Sequence, residues 1–146
     1  MCIRDSASTG QRCTATSRVV IEEKIADKFL ASLVERAKKY VVGDGMDPGV
    51  EMGPSVDENQ MNTVLKYIDI GKKEAKLLCG GERLTGARYD KGWFVSPTIF
   101  DNVRADSQLA QEEIFGPVLS VIRVKNFDEA LNAANSVRFG LSLIHI

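Results

Sequence analysis

Hydrophobic positions along this chain fall into short β-branched runs alternating with stretches of helical spacing, a pattern that predicts an α/β sheet with helices packed on it. Ser17 to Glu22, centred on Val19, Val20 and Ile21, predicts a strand. Ile25, Phe29, Leu30, Leu33, Val34, Ala37 and Val41 then recur at helical spacing. Glu22 and Glu23 open that helix and Lys38 and Lys39 lie near its end, the polarity the helix dipole favours, with Gly43 and Gly45 expected to stop it.

Gly43 to Val56, holding Pro48, Gly49, Gly53 and Pro54, shows no period and reads as a loop. Asp57 with Gln60 three residues on predicts a capping box, opening a helix striped by Met61, Val64, Leu65 and Ile68. Lys76 to Cys79 before Gly80-Gly81 predicts a short buried strand. Trp93 to Phe100 predicts another, which Pro97 assigns to an edge or a bulge. Ser107 to Glu113 predicts a short helix, Val118 to Val124 the clearest strand, and Asn126 with Glu129 the cap of a last helix through Ala130, Leu131 and Ala134. No internal repeat or low-complexity segment interrupts this order.

A chain of 146 residues suits one domain or part of one. Its 19 basic and 20 acidic residues are interspersed and sum to −1, which leaves no electrostatic footprint for nucleic acid or an anionic membrane. Apolar runs fall well short of the roughly 20 residues that span a bilayer. Cys2, Cys13 and Cys79 form no C-x-x-C pair and leave one thiol over, so a reducing compartment is expected. Met1-Cys2-Ile3-Arg4 lacks the apolar core of a signal peptide, so the cytoplasm is the expected location. His145 is the sole histidine, which excludes a histidine-rich metal site, and no metal is expected.

Cys13 lies in the polar, glycine-led run Gly10-Gln11-Arg12-Cys13-Thr14, just ahead of a strand. Backbone N–H groups and Arg12 favour a thiolate there, whereas a core cysteine usually has apolar neighbours. Arg12 also reads as a clamp for an anionic substrate group or as one half of a structural salt bridge. Cys79, flanked by Leu77, Leu78 and glycines, reads as core, and Lys72 and Lys73 as a solvated helix face. Glu113 and Phe115 by themselves read as a solvated charge and a core aromatic, but Gly116-Pro117 directly after them fixes the turn and hence the direction of both side chains.

Ser8-Thr9-Gly10-Gln11-Arg12-Cys13-Thr14-Ala15 resembles the active-site cysteine segment of the NAD(P)-dependent aldehyde dehydrogenase superfamily, and Gln111-Glu112-Glu113-Ile114-Phe115-Gly116-Pro117-Val118 resembles its second signature. The likeness runs from about Ala7 to Ser142. It implies a parallel-sheet catalytic domain of the aldehyde dehydrogenase fold over residues 7–142, incomplete at both ends. It further implies that Cys13 attacks an aldehyde to give a thiohemiacetal and then a thioester, that Glu113 accepts hydrogen bonds from the nicotinamide ribose of NAD or NADP, and that Phe115 packs beside that ribose. Gln60 falls where some members place a side chain near the cofactor, and the helix cap explains it equally well. The backbone N–H of Cys13 is implied as an oxyanion donor. The expected partner is a small aldehyde, with no nucleic acid and no membrane, in a full-length dimer or tetramer.

Within the superfamily, the cysteine segment together with Tyr67-Ile68-Asp69-Ile70-Gly71-Lys72-Lys73-Glu74 is most similar to the branch oxidising 2,5-dioxopentanoate, the semialdehyde of α-ketoglutarate. Many relatives read Glu-Gly-Ala-Lys where this chain has Glu74-Ala75-Lys76, a change at a helix exit that touches no catalytic role. Two rival readings share the visible residues: a non-catalytic relative of the same fold, and a dehydrogenase that passes the thioester to coenzyme A. Met1–Ser6 and Leu143–Ile146 match nothing expected at those places and read as non-native tails, so Cys2 and His145 are given no role.

The general base, the phosphate-binding lysine and the glycine-containing cofactor fold of the family have no counterpart in these residues, and no Gly-x-Gly-x-x-Gly occurs. The 146-residue chain alone is therefore expected to be poorly stable and to show no dehydrogenase turnover. NAD-dependent aldehyde oxidation by the purified chain, followed as nicotinamide absorbance, would overturn this.

Overall fold

The computed structural model describes residues 8–140, so the two expected tails lie outside the described residues. The elements are β1 (Arg18–Glu22), α1 (Glu23–Lys38), α2 (Glu58–Glu74), β2 (Lys76–Cys79), β3 (Thr98–Asp101), α3 (Gln108–Gln111), β4 (Val118–Val124) and α4 (Phe127–Asn135). They form one four-stranded sheet in the order β1-β4-β3-β2.

The α/β class is as the pattern predicts, but the sheet is mixed rather than purely parallel. β1 and β3 run parallel to β4, with Arg18 opposite Ser120 and Thr98 opposite Val118, whereas β2 pairs antiparallel with β3. The physical reason lies in the connection: residues 80–97 return the chain through a loop, without the crossover helix that a parallel neighbour needs.

Strand β4 is central, and its period of two feeds both faces. Leu119 and Val121 join Ile21, Ala26, Leu30, Leu33 and Ala37 under α1. Val118, Ile122 and Val124 join Met61, Val64, Ile68, Phe100, Leu109 and Ile114 under α2 and α3, with Ala133 of α4. Gly71 lets α2 approach β3 closely, since a Cβ there would stand 2.7 Å from the Phe100 ring.

Three local expectations shift. The buried stripe of α1 is Ala26, Leu30, Leu33 and Ala37, which leaves Ile25 exposed. Helix α1 also ends at Lys38, before Val41 and well before Gly43. Val41 is held elsewhere: its carbonyl accepts from the N–H groups of Glu51 and Met52, and the flanking Val42–Met52 bridge organises the loop around a small cluster with Phe94. Pro97 marks no sheet edge, because β3 begins only at Thr98 and lies between β4 and β2.

An ion pair ties the sheet to α1. Arg123 donates to both carboxylate oxygens of Asp101, from Nε at 2.9 Å and from Nη2 at 2.8 Å, and Nη2 also reaches Asp27 at 2.7 Å. Burial alone would raise the Asp101 carboxyl, but the hydrogen bonds from Arg123 and the Asn102 N–H, with the charges of Arg123 and Lys76, hold it below the usual carboxylate range. Its stabilising contribution is thus present above that range and is lost as pH falls through the depressed folded value. Asp101→Ala removes the two bonds that Arg123, itself only 22 % exposed, makes to a buried carboxylate and leaves it Asp27 alone, and is expected to cost about 2 kcal/mol in urea unfolding. Asp27→Ala, at a largely exposed carboxylate, is expected to cost less than about 1 kcal/mol.

Candidate active site

Ser8, Thr9 and Gly10 all take left-handed backbone angles, with φ of 69°, 59° and 67°. Such angles are costly for non-glycine residues and persist where surroundings enforce them. Here the Gln11 N–H closes the turn on the Ser8 carbonyl at 3.0 Å. Thr9, only 2 % exposed, donates its hydroxyl to the Gly53 carbonyl at 3.0 Å, with the Pro54 carbonyl at 3.3 Å. Gln11 Oε1 accepts from the Val56 N–H at 3.0 Å. A second turn follows, in which the Ala15 N–H donates to the Arg12 carbonyl at 2.9 Å, and Cys13 stands exposed at its tip.

The loop that receives Thr9 and Gln11 runs directly into α2. Asp57 caps that helix through the Gln60 N–H at 2.8 Å. The reciprocal half of the expected capping box does not form, because the Gln60 amide is committed elsewhere: Nε2 donates to the carbonyls of Ile114 and Phe115, both at 2.9 Å.

One face of α2 therefore carries the whole second segment. Tyr67 donates to Glu112 Oε2 at 2.5 Å, and Gln108 donates to the same oxygen at 3.0 Å. The bond from Tyr67, followed by that from Gln108, holds the Glu112 carboxyl below its usual range, and the same carboxylate pushes the Tyr67 hydroxyl up. Val64, one turn from Gln60, backs Gly116 so closely that a Cβ at Gly116 would stand 2.3 Å from Val64 Cγ2. Between these anchors Ile114 is buried, while Glu113 is exposed and makes no hydrogen bond or ion pair among the described residues. Phe115 adopts φ 55° and is 40 % exposed.

The sheet register places both segments together. Cys13 precedes β1 and Glu113 precedes β4, each by five residues, and the two strands are parallel neighbours. Both leaders thus leave the amino-terminal edge of the same pair of strands, and the amino end of α2 is bonded to each. Cys79 sits apart, in the far edge strand β2, half-buried against the α1 cluster. Burial pushes its thiol up, and its Sγ donates weakly to the Pro97 carbonyl at 3.9 Å, as a core cysteine would. Arg12 is exposed and has no carboxylate partner among the described residues, so the salt-bridge reading gains no support there. Sequence reasoning passed over Thr9, Tyr67 and Glu112 as supports; a polar residue in a polar run carries no sign that it is buried or bonded.

Among the described residues no group of three or more His, Cys, Asp or Glu converges as a metal site, and no helix is long and apolar enough to cross a membrane.

Against this geometry, the sequence profile of the "Aldehyde dehydrogenase family" matches residues 4–144. Alpha-ketoglutaric semialdehyde dehydrogenase of Bacillus subtilis (strain 168) is 50% identical over 136 residues, covering 92% of this chain and 28% of its own length. Aldehyde dehydrogenase 1A1 of Homo sapiens is 47% identical over 134 residues, covering 91% of this chain and 26% of its own. The crystal structure of 1-pyrroline-5-carboxylate dehydrogenase from Thermus with bound NAD superposes with a TM-score of 0.86 at 43% identity, over 95% of this chain and 26% of that one. The chain spans about a quarter of the length of the relatives it matches.

Iodoacetamide near neutral pH is expected to modify Cys13 faster than Cys79, by on the order of ten-fold, because one thiol is exposed at a turn and the other is half-buried with its ionisation opposed. Peptide mapping by mass spectrometry reads the two rates, and equal sluggishness of both would remove Cys13 as an activated nucleophile.

Proposed function

The chain belongs to the aldehyde dehydrogenase family, and from that membership we propose that it is the nucleophile-bearing part of an enzyme that oxidises an aldehyde to a carboxylate with NAD or NADP. The observation that carries this reading is the shared sheet edge, where an exposed thiol and a carboxylate with no partner among the described residues are bonded through their segments to one helix end.

In the proposed chemistry, Cys13 Sγ as thiolate forms a C–S bond to the aldehyde carbon and places negative charge on the former carbonyl oxygen. The Cys13 N–H, which donates to no other backbone group among the described residues, suits that oxygen. A bound nicotinamide would supply the acceptor for the hydride of the tetrahedral carbon, and Cys13 would then hold the acyl group as a thioester until water hydrolyses it. No histidine is needed, because hydride departure takes the place of protonating a leaving group.

The residues present fit a dinucleotide at one point of contact. An ionised carboxylate is acceptor-only, so Glu113 suits the two hydroxyl donors of a ribose. The half-exposed Phe115 offers an apolar wall next to it. Gln60, by contrast, already uses both amide donors on backbone carbonyls, so its assignment as a direct cofactor contact rests on its acceptor oxygen alone.

For substrate we favour a semialdehyde bearing a carboxylate, with 2,5-dioxopentanoate as the named candidate. Arg12, exposed beside the nucleophile, supplies a cation for such a group, and the Bacillus subtilis relative takes its name from this class.

In the full-length protein, Cys13→Ala is expected to lower kcat for aldehyde oxidation by at least about 1000-fold while leaving the Kd for NAD near wild type. Glu113→Gln is expected to weaken NAD binding by about ten-fold, the loss of a charge-assisted acceptor. Steady-state kinetics and fluorescence titration read the two effects. A Cys13→Ala protein that still turns over aldehyde would refute the assignment.

A further inference from the structure

The face of α2 that holds the second segment is built at positions 60, 64 and 67, the i, i+4, i+7 spacing of a single helix face. Tyr67 fixes Glu112, Val64 backs Gly116, and Gln60 spans the residues between. Among the described residues only Gln60 bonds the backbone carbonyls on either side of the Phe115 Cα. Phe115 needs that support: its φ of 55° is unfavourable for an L-residue, and a residue 40 % exposed gains too little from burial to enforce it. A primary amide has two N–H donors, so it suits two carbonyls that must be held side by side. The helix end itself does not require the Gln60 side chain, because Asp57 already caps the Gln60 N–H.

We infer that Gln60 is a positioning residue, which acts by clamping the Ile114 and Phe115 carbonyls so that the strained turn presents Glu113 and Phe115 outward to the dinucleotide. This rests on the proposed role of those two residues, and it differs from a direct contact between Gln60 and the cofactor. The two roles make opposite demands on the side chain. Clamping requires donors; an added bond to ribose hydroxyls requires an acceptor.

Gln60→Glu separates them, because a carboxylate keeps the shape and the acceptor while losing both donors and repelling the two carbonyls. Gln60→Leu removes donor and acceptor alike and preserves helix propensity. In the full-length enzyme both substitutions are expected to raise the Kd for NAD by about ten-fold, the loss of two hydrogen bonds, with kcat at saturating NAD changed less. Hydrogen exchange measured without cofactor is expected to quicken at the amides of Ile114, Phe115, Gly116 and Val118, the last of which donates to the Gly116 carbonyl, in both variants and to stay at the wild-type rate in Glu113→Gln. A Gln60→Glu protein that binds NAD like wild type, or either Gln60 variant with unchanged exchange at that turn, would overturn the inference. Failure of the functional reading looks different: Glu113→Gln then binds NAD normally, while the exchange result at Gln60 stands by itself.

Discussion

The arrangement depends on one helix face meeting one strained turn. Helix α2 buries Met61, Val64 and Ile68 against the sheet, so its position is set by the core. From that fixed base Gln60, Val64 and Tyr67 engage the residues from Glu112 to Gly116 by hydrogen bond, contact and hydrogen bond in turn. The turn stores unfavourable backbone geometry at Phe115, and the interactions around it over-determine that geometry. The two side chains that face outward, Glu113 and Phe115, are left unencumbered because their neighbours Glu112 and Ile114 do the anchoring.

The same helix end also receives the cysteine loop, through Thr9 and Gln11. Two segments about 100 residues apart in sequence thus share one support. Open α/β sheets commonly gather ligands at the carboxyl ends of their strands. Here the candidate groups gather at the amino ends of β1 and β4, because the chain enters each strand from a turn held by α2. The opposite demands of burial and exposure are met within a few residues: Thr9 is sealed while Cys13 is open, and Ile114 is sealed while Glu113 is open.

Much of this was legible in the chain. The strands at Val19–Ile21 and Val118–Val124 follow from β-branched runs, and the starts of α2 and α4 follow from Asp57 and Asn126, because propensity and capping act over a few residues. Cys13 was marked as a candidate by its polar, glycine-led run, and Glu113 and Phe115 by the resemblance to the family's second signature. Cys79 was separated from Cys13 by apolar neighbours alone, and its half-buried setting agrees. Less legible were positions governed by partners distant in sequence. Val41 continued the helical period yet is drawn off by Glu51 and Met52, and Pro97 was read as an edge or a bulge yet stops one residue short of an interior strand, whose pairing with β2 shifts register between Leu77 and Cys79.

The amino-acid sequence by itself determined the α/β class and most elements, because each of these rests on spacing and residue type within a short window, whereas Glu113 and Phe115 were singled out as candidates only by the family resemblance. Tertiary structure alone decided that β2 turns antiparallel, that β1 and β4 lie side by side, and that the Gln60 amide serves Ile114 and Phe115 instead of its own helix end. Those outcomes are set by which distant backbone groups remain unsatisfied once the core has packed, and no local pattern of residues records that.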